Sequence, residues 1–306
     1  MGLMSEEKTS VYSISGLVPA GQKQGAYLIV LSAKLAGTVG KMVKLEAKES
    51  VLGRSVEATF QIEDDGISRQ HAKVTRDEDG VFRLVDMAST NGTYLNGLRV
   101  NTAPLTDGDK IQMGSHTVLK FSIQDQLEEQ YQRSIYESAT RDGLTRIFNK
   151  KYFVDALHKE FAYCMRHAGS LSLLMFDVDH FKRINDSHGH LAGDLVLQRV
   201  AQRLSESVRT EDLLARYGGE EFALLLRESA EERAFVCAER CRRAVDGAEF
   251  SYDGTPIRVT ISVGVATLFH STVAQPEDLI AEADKYLYRA KEGGRNRVDG
   301  KKISGP

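Results

Sequence analysis

The sequence predicts an α+β protein with two domains, a β-sandwich followed by a sheet covered with helices. The chain has 306 residues, which is long for one core and comfortable for two domains. Its first half consists of short strand-like runs separated by turn dipeptides, and from Asp142 onward helical and strand-like segments alternate. Between the two halves lies a mostly polar segment that is rich in helix-forming residues and too short to form a hydrophobic core by itself.

Composition narrows the class of protein and the set of partners. Hydrophobic residues make up 42% and charged residues 27%, and the formal net charge is -3, so no global attraction to nucleic acid or to an anionic membrane is expected. No apolar run approaches the roughly 20 residues of a spanning helix, and the polar N-terminus lacks the features of a signal peptide. Cys164, Cys237 and Cys241 form no Cys-x-x-Cys pair. We therefore expect a cytoplasmic protein without nucleic-acid or membrane partners.

The first half is predicted to be a β-sandwich because its apolar runs are short and closely punctuated. The turns are expected at Asp79-Gly80, Asn91-Gly92, Asn96-Gly97 and Asp107-Gly108-Asp109. The predicted strands are Tyr27–Leu31, Met42–Leu45, Ala72–Thr75, Val81–Val85 and Thr117–Phe121.

The connecting stretch from Ile123 to Thr140 is rich in helix-forming residues. Leu127, Tyr131 and Ile135 recur at every fourth position and form one apolar stripe on an otherwise charged helix. The stripe is compatible with a linker that docks on a domain or with a dimer seam, since two turns are too short to prove a coiled coil.

The second half is predicted to place helices on a sheet that contains an antiparallel hairpin. The hairpin is expected at Gly218-Gly219, where glycine supplies the positive φ angles of a tight turn. The predicted helices are Lys151–Ala168, Gly193–Ser207, Ala230–Asp246 and Pro276–Lys291, and the other strands are Leu171–Phe176 and Ile257–Ala266.

Carboxylates stand beside these strands in a pattern that suggests a metal site. Asp177 follows a strand, and Glu220 and Glu221 follow the Gly-Gly pair. Hard cations such as Mg²⁺ take oxygen ligands, so these groups can converge on a divalent metal.

The motifs of the second half resemble those of the GGDEF-type diguanylate cyclases, which condense two GTP into cyclic di-GMP and two pyrophosphates. The resemblance covers residues 140 to 300 in the family's order, and it implies a palm-like, nucleotidyl-cyclase βααββ core. It also implies a homodimer, since each domain would bind one GTP. The matching motifs are Asp142–Thr145, Phe176–Asp186, Gly189–Asp194, Gly218–Phe222, and Ala283–Lys285 with Lys291–Asn296.

The resemblance implies roles in metal binding and catalysis. Asp177, Glu220 and the Val178 carbonyl would hold two Mg²⁺ ions, or Mn²⁺ in their place. Glu221 is the candidate for receiving the proton of the 3′-hydroxyl, and Lys182 joins it in the catalytic set by neutralising phosphate charge.

It likewise implies how GTP is bound. Asn185 and Asp194 would read guanine, with His190 nearby. The phosphates would contact Lys291, Arg295 and the backbone N–H groups around His180 and Phe181. One departure from the family is Arg146, where glycine is usual.

Two further patterns concern other ligands of this half. Arg209 and Asp212 stand where many of these cyclases carry an Arg-x-x-Asp product-inhibition site, and Arg240 matches a secondary arginine of that site. A zinc site at His180, His188 and His190 is the alternative reading, which lacks an adjacent cysteine.

The first half resembles the forkhead-associated (FHA) domain, a phosphothreonine reader. The resemblance covers about residues 25 to 123 and rests on Leu52–Arg54, Ile67–Ala72 and Ser89–Gly97. It implies that a phosphate is bound by a guanidinium and neutral donors, and that His71 braces the loop from within. The implied phosphothreonine-binding residues are Arg54, Ser68, Arg69, Thr90 and Asn91, the last of these holding the ligand backbone.

We therefore interpret the chain as a polar tail (1–24), an FHA-like domain (25–123), a helical linker (124–140) and a GGDEF cyclase domain (141–306). Its expected partners are GTP, cyclic di-GMP, a second copy of the chain and a phosphothreonine peptide. That peptide is either a separate protein or the chain's own tail, in which Thr9 follows Glu6 and Glu7. Two rival interpretations are a non-catalytic scaffold that binds cyclic di-GMP at Arg209 and Asp212, and a phosphoprotein adaptor.

Overall fold

The computed structural model describes residues 25–33, 38–209, 211–227, 229–268 and 273–301. These form two compact units that divide within the connecting helix. The first unit contains most of the first strand and the residues from Gly40 to Arg133, and the second begins at Ser134. The tail that carries Thr9 lies outside the described residues.

The first unit is a sandwich of two sheets, one of six strands and one of five. Residues that alternate along the strands point into the core, where Leu28, Leu52 and Leu84 are fully buried. The rings of Phe82 and Phe121, one from each sheet, pack with centroids 5.3 Å apart. The strands are β1 (Gly25–Ser32), β2 (Met42–Lys44), β3 (Glu49–Gly53), β4 (Phe60–Gln61), β5 (Ala72–Arg76), β6 (Phe82–Asp86), β7 (Thr93–Leu95), β8 (Leu98–Val100), β9 (Thr102–Pro104), β10 (Lys110–Met113) and β11 (Thr117–Gln124). Their order is β2-β1-β11-β10-β7-β8 in one sheet and β4-β3-β5-β6-β9 in the other.

All five strands predicted for this unit are present with small shifts at their ends. Six further strands, β3, β4 and β7 to β10, were not predicted. They are two to five residues long and lie beside or within the loop motifs, so they lack the longer apolar alternation by which a strand is recognised.

The connecting helix, α1, spans Gln126–Thr140. Asp125 starts it, because its carboxylate accepts a hydrogen bond from the Glu128 backbone N–H at 2.8 Å. The predicted apolar stripe is exposed in the single chain, with 65% of Leu127, 64% of Tyr131 and 47% of Ile135 accessible.

The second unit is a six-stranded sheet with helices on both faces, and it also contains a separate two-stranded hairpin. The strands are β12 (Phe148–Asn149), β13 (Leu171–Val178), β14 (Leu213–Arg216), β15 (Glu221–Arg227), β16 (Phe250–Tyr252), β17 (Thr255–Ile257), β18 (Ile261–Thr267) and β19 (Val298–Gly300). The helices are α2 (Lys150–His167), α3 (Phe181–His188), α4 (His190–Glu206), α5 (Glu231–Asp246) and α6 (Pro276–Glu292). The order of the six strands is β12-β14-β15-β13-β18-β19, and β16 and β17 form the separate hairpin.

The central strand β13 contributes side chains to two hydrophobic cores, one on each face of the sheet. All eight of its residues are buried, and it pairs antiparallel with both β15 and β18. Leu174 and Phe176 face a core formed with α4 and α5, while Leu173 and Met175 face a core formed with α2 and α6. Burial on both faces accounts for the uninterrupted apolar run in the sequence.

Two predictions for this unit were wrong in detail. The segment predicted as one strand, Ile257–Ala266, is divided between the end of β17 and β18. The helix predicted from Gly193 begins at His190, and α3 stands before it as a separate helix that was not predicted. Gly189, with φ of 85°, separates the two helices at a conformation that favours glycine. Within the described residues, no helix is long and apolar enough to cross a membrane.

Candidate active site

The carboxylates predicted to share a site come together at the end of the central strand. Asp177 and Glu221 are paired across β13 and β15, and the Val178 N–H donates to the Glu220 carbonyl at 3.2 Å. Residues more than forty positions apart in the sequence thus occupy one edge of the sheet.

The Gly-Gly hairpin forms, but not for the reason predicted from the sequence. Its last paired residues are Arg216 and Phe222, and the N–H groups of Tyr217 and Gly218 both donate to the Glu221 carbonyl at 2.8 and 3.2 Å. Neither glycine of the pair has a positive φ. A side chain at Gly218 would collide with the Glu221 carboxylate, and the space around Gly219 is open. Gly218 therefore leaves room for the Glu221 carboxylate, whereas no described neighbour restricts a side chain at position 219.

The electrostatics of this edge favour a bound cation. Asp177 is 6% exposed and its Oδ2 lies 2.6 Å from Lys291 Nζ. Burial raises the pKa of Asp177, an effect that Lys291 opposes and that Glu221 reinforces. Burial and the nearby Asp177 charge raise the pKa of Glu220. One ammonium thus balances a cluster of carboxylates.

The donor set fits a hard divalent cation. Asp177, Glu220 and the Val178 carbonyl offer only oxygen atoms, which Mg²⁺ and Mn²⁺ accept. Among the residues that the structure describes, no three His, Cys, Asp or Glu side chains form a ready metal cluster. The remaining ligands of a metal here would come from water and from a phosphorylated substrate. The histidines His180, His188 and His190, named as an alternative zinc set, form no such cluster either.

The predicted phosphate contacts surround this edge. His180 precedes α3 with a left-handed φ of 58°. The N–H groups of Phe181 and Lys182, at the start of this helix, have no intrahelical acceptor and can donate to an anion. Lys182 is exposed in the same turn. Lys291 already lies against Asp177, and Arg295 is exposed in the loop after α6.

The predicted guanine contacts lie on the two helices after β13. Asn185 is on α3, while His190 and Asp194 are exposed in the first turns of α4. The Asn185 Oδ1 atom is buried and has no hydrogen-bond partner among the described residues. A side chain at Gly193 would overlap it. A buried amide with an unpaired atom is expected to be completed by a polar ligand.

The residues of the predicted product site are also close together. Asp212 accepts a hydrogen bond from the Arg209 backbone N–H at 3.0 Å, and the Arg209 side chain is 70% exposed. Arg240, on α5, donates to the Ser207 carbonyl at 2.8 Å. Burial raises the pKa of Asp212, and the charges of Arg209 and Arg240 oppose this. Two guanidinium groups thus lie near one carboxylate.

In the first unit, the predicted phosphate-binding loops are joined by hydrogen bonds. Ser68 Oγ accepts from the Thr90 N–H at 3.1 Å and lies 3.3 Å from Thr90 Oγ1. Asn91 Nδ2 donates to the Gly66 carbonyl at 2.8 Å, so Asn91 braces this loop as well as facing solvent. Arg54 and Arg69 are exposed beside them, and the Arg54 N–H donates to the Ser68 carbonyl at 3.1 Å.

His71 lies beneath these loops, as predicted. Its Nδ1 accepts from the Ser68 N–H at 3.1 Å, so its Nε2 carries the proton and donates to the Gly92 carbonyl at 3.2 Å. Burial lowers the pKa of His71, which keeps the ring neutral. The histidine therefore connects the loop of Ser68 with that of Asn91.

Comparison with known proteins shows which family the chain belongs to. The family model described as "Diguanylate cyclase, GGDEF domain" matches residues 139–297, which is more than half of the chain. The chain belongs to the GGDEF diguanylate cyclase family. The FHA domain model matches residues 50–114, so the chain combines a GGDEF domain with an FHA domain. Both family assignments made from the sequence motifs are confirmed.

Named relatives share the GGDEF part. Diguanylate cyclase A of Treponema denticola is 41% identical over 168 residues, covering 54% of this chain and 45% of the relative. Diguanylate cyclase DgcP of Pseudomonas aeruginosa is 40% identical over 173 residues, covering 56% of this chain and 25% of the relative. The chain thus spans less than half the length of these curated relatives.

Solved structures match the same part. The coiled coil and GGDEF domain of DgcB from Caulobacter crescentus, in complex with c-di-GMP, has a TM-score of 0.54 and 30% identity, covering 57% of this chain and 92% of that one. Diguanylate cyclase SiaD of Pseudomonas aeruginosa, in complex with its activator SiaC, has a TM-score of 0.53 and 33% identity, covering 57% and 67%. The predicted α+β fold of the GGDEF domain is confirmed.

Two residues of this GGDEF domain were missed by sequence reasoning. Asp179 is buried and accepts hydrogen bonds from Thr260 Oγ1 at 2.7 Å and Ser262 Oγ at 2.6 Å. Arg216 donates through Nε and Nη2 to the Gly219 carbonyl at 3.1 and 2.7 Å, and through Nη1 to Asp142 at 3.2 Å. Their position inside two motifs was the available signal, since Asp179 follows Asp177 by two residues and Arg216 begins the hairpin signature.

Proposed function

We propose that this chain is a diguanylate cyclase that condenses two GTP into cyclic di-GMP and two pyrophosphates. In each of two steps, a ribose 3′-oxygen bonds to the α-phosphorus of the other nucleotide and pyrophosphate leaves. The observation that carries the proposal is the convergence of Asp177, Glu220 and Glu221 beside Lys291, in a chain of this family. No member of this set is replaced by a residue unable to do the chemistry.

The residues of the site have distinct tasks in this reaction. Asp177, Glu220 and the Val178 carbonyl would hold two Mg²⁺ ions, or Mn²⁺, which supply charge neutralisation and favour the 3′-alkoxide when bound. Glu221 accepts the proton of the 3′-hydroxyl. Lys182, Lys291, Arg295 and the N–H groups at His180 and Phe181 bind the triphosphate.

In this proposal, α3 and α4 supply the residues that recognise guanine. The side-chain amide of Asn185 and the carboxylate of Asp194 face the base, with His190 beside them. A carboxylate accepts from the N1 and exocyclic amine donors of guanine, which adenine does not present together. The unpaired buried atom of Asn185 supports this assignment because a base edge would complete its hydrogen bonding.

The reaction needs two such domains. Each holds one GTP, so the two nucleotides face each other only when two copies meet across a two-fold axis. The exposed stripe of Leu127, Tyr131 and Ile135 on α1 is the seam that we propose for this homodimer.

Two regulatory functions complete the proposal. Cyclic di-GMP binds at Arg209, Asp212 and Arg240 and inhibits the enzyme, which is supported by two guanidinium groups beside a carboxylate. A phosphothreonine peptide binds at Arg54, Ser68, Arg69, Thr90 and Asn91 of the FHA domain. The site of action is the cytoplasm, where GTP is available.

The proposal is tested by incubating the purified chain with GTP and Mg²⁺ and identifying the product by chromatography, with and without a phosphothreonine peptide. Glu220→Gln should lower product formation by at least about a hundredfold, because glutamine keeps the shape of the side chain but lacks the negative charge that binds the metal. Glu249→Gln removes an exposed carboxylate between α5 and β16 and should leave turnover unchanged. Binding of cyclic di-GMP without any turnover would instead favour a non-catalytic scaffold.

A further inference from the structure

The loop that carries Arg295 has an unusual backbone. Between α6 and β19, Gly294, Arg295 and Asn296 have φ angles of 113°, 61° and 44°. A left-handed conformation costs a non-glycine residue about 1–2 kcal/mol, although asparagine adopts it more readily than most. Two consecutive non-glycine residues in this conformation, Arg295 and Asn296, persist only where neighbouring groups hold them in place.

Asn296 is held from two sides. Its backbone N–H donates to Asp179 Oδ2 at 3.0 Å. Its side-chain Oδ1 accepts from Arg242 Nη1 at 2.6 Å. Asp179 follows β13 directly and Arg242 lies on α5, so these two hydrogen bonds join the loop to the end of the central strand and to a packed helix.

Both anchors are themselves fixed. Asp179 is 4% exposed and also accepts from Thr260 and Ser262. The Arg242 side chain is 14% exposed and forms a forked pair with Glu239, Nε to Oε2 at 2.9 Å and Nη2 to Oε1 at 2.8 Å. These bonds from Arg242 are the main reason that the pKa of Glu239 is lowered to about 2. Neither partner of Asn296 can move without breaking other contacts.

We propose that Arg242 and Asn296 are positioning residues for the GTP phosphates, because their hydrogen bond fixes the backbone from which the Arg295 guanidinium extends. Arg295 is exposed, and within the described part of the chain it has no acidic partner. It is therefore available to an anion, and its direction is set by the loop. This inference rests on the proposed function, since it requires the triphosphate to be the ligand of Arg295.

The test compares Arg242→Gln and Asn296→Gly with the wild-type chain. Glycine keeps the left-handed conformation available at position 296 and removes only the side-chain acceptor. For each protein, KM and kcat for GTP are measured, together with the Kd of 3′-deoxy-GTP, which binds with Mg²⁺ but lacks the attacking hydroxyl. We expect KM and Kd to rise about tenfold while kcat changes less than about threefold, because contacts to the non-reacting phosphates act on ground state and transition state alike.

Arg243→Gln is the matched control. Arg243 is the next residue on α5 and also pairs with Glu239, at 2.8 Å, but it forms no hydrogen bond to Asn296 among the described contacts. The change removes the same charge from the same helix and should leave KM and Kd at the wild-type values.

The double variant Arg295→Ala with Asn296→Gly separates positioning from a general loss of structure. If Asn296 acts through Arg295, the double variant has the KM and Kd of Arg295→Ala alone. Additional loss in the double variant, or wild-type KM and Kd in both Arg242→Gln and Asn296→Gly, would overturn the inference. A wild-type chain that makes no cyclic di-GMP contradicts the proposed function instead, and the two failures are therefore distinguishable.

Discussion

Arg146 stands where the resemblance to the family predicts glycine, and its backbone conformation is one that favours glycine. Its φ is 62°, in the turn that returns the chain from Asp142 to Ile147, where the Arg146 N–H donates to the Asp142 carbonyl at 3.0 Å. Glycine adopts this conformation without steric cost, whereas arginine does not. Arginine at this position therefore lowers the stability of the turn, and its side chain is not among the residues proposed for the active site.

Arg146→Gly should therefore raise the free energy of unfolding by roughly 1 kcal/mol, with turnover unchanged. Urea denaturation followed by circular dichroism measures this difference. Ala281→Gly, at an exposed position inside α6, is the control and should lower the free energy of unfolding by about 1 kcal/mol, since glycine is unfavourable within a helix. If the Arg146→Gly variant is less stable than the wild type, the left-handed strain at this position is not significant.

Some residues of the site could be predicted from the sequence, and others could not. Asp177, Glu220 and Glu221 were identified because each stands beside a predictable strand. Asp179 was missed because its partners Thr260 and Asn296 are 81 and 117 residues away in the sequence. The backbone of the Gly-Gly pair was predicted wrongly because glycine at a hairpin tip satisfies two different needs, positive φ and absence of a side chain, and only the fold shows which one applies.

At the scale of elements, Arg216 couples the start of the cyclase domain to the catalytic hairpin. It ends β14, and its side chain is only 17% exposed between Asp142 and the carbonyl of Gly219. Asp142 also accepts from the N–H and the hydroxyl of Thr145, both at 2.8 Å. These bonds to Thr145 and the charge of Arg216 lower the pKa of Asp142 despite its burial, so the carboxylate stays ionised. The hairpin is thus held by the segment that follows α1.

We expect Arg216→Gln to lower kcat at least about tenfold, because the hydrogen bonds of a charged donor to a loop carbonyl are worth about 1.5–3 kcal/mol. Steady-state kinetics and urea denaturation of the same samples separate a misplaced hairpin from an unfolded domain. Arg203→Gln, which breaks an exposed pair with Glu206 on α4, is the matched control and should retain wild-type kcat. Unchanged kcat in Arg216→Gln would show that the hairpin does not depend on this contact.

The proposed product site likewise combines residues of two elements, the α4–β14 loop and α5. Arg209→Ala should raise the concentration of cyclic di-GMP needed for half-maximal inhibition at least about tenfold and leave kcat unchanged, because a forked guanidinium contact to phosphate or base is lost. The measurement is initial rate against added product. Arg166→Ala removes an exposed arginine from the last turn of α2 and should be inhibited like the wild type. A wild-type enzyme that saturating product does not inhibit would contradict this site.

Elements were predicted well where they were long and poorly where they were short. The four helices predicted in the cyclase domain all exist, since each carries several turns of apolar periodicity. The helix α3 was missed because eight residues, Phe181–His188, give too few apolar positions, and Phe181 and Ile184 alone are buried. The hairpin β16–β17 was missed because Arg258 to Thr260 continue the strand-like pattern across its boundary with β18.

At the scale of the whole molecule, the sequence predicted the order of the two domains, which the family matches confirm. The phosphorylated ligand that we propose for the FHA domain did not follow from the sequence, because the residues of the binding loops recognise the phosphate and not the protein that carries it. The chain nevertheless contains one candidate for that ligand. Thr9 stands beside Glu6 and Glu7 in the polar tail, which lies outside the described residues.

A phosphorylated Thr9 would be tethered to its reader at a high effective concentration, in the same chain or across a dimer, which makes even a weak site competitive. We expect a Thr9-phosphorylated peptide of the tail to bind a chain that starts near Gln24, and Arg54→Ala to weaken this binding at least about tenfold by removing the guanidinium for the phosphate. Calorimetric titration measures both, with the unphosphorylated peptide and Arg83→Ala, an exposed arginine on β6, as controls. Binding that is undetectable, or that survives Arg54→Ala unchanged, would rule out the tail and leave a separate phosphoprotein as the ligand.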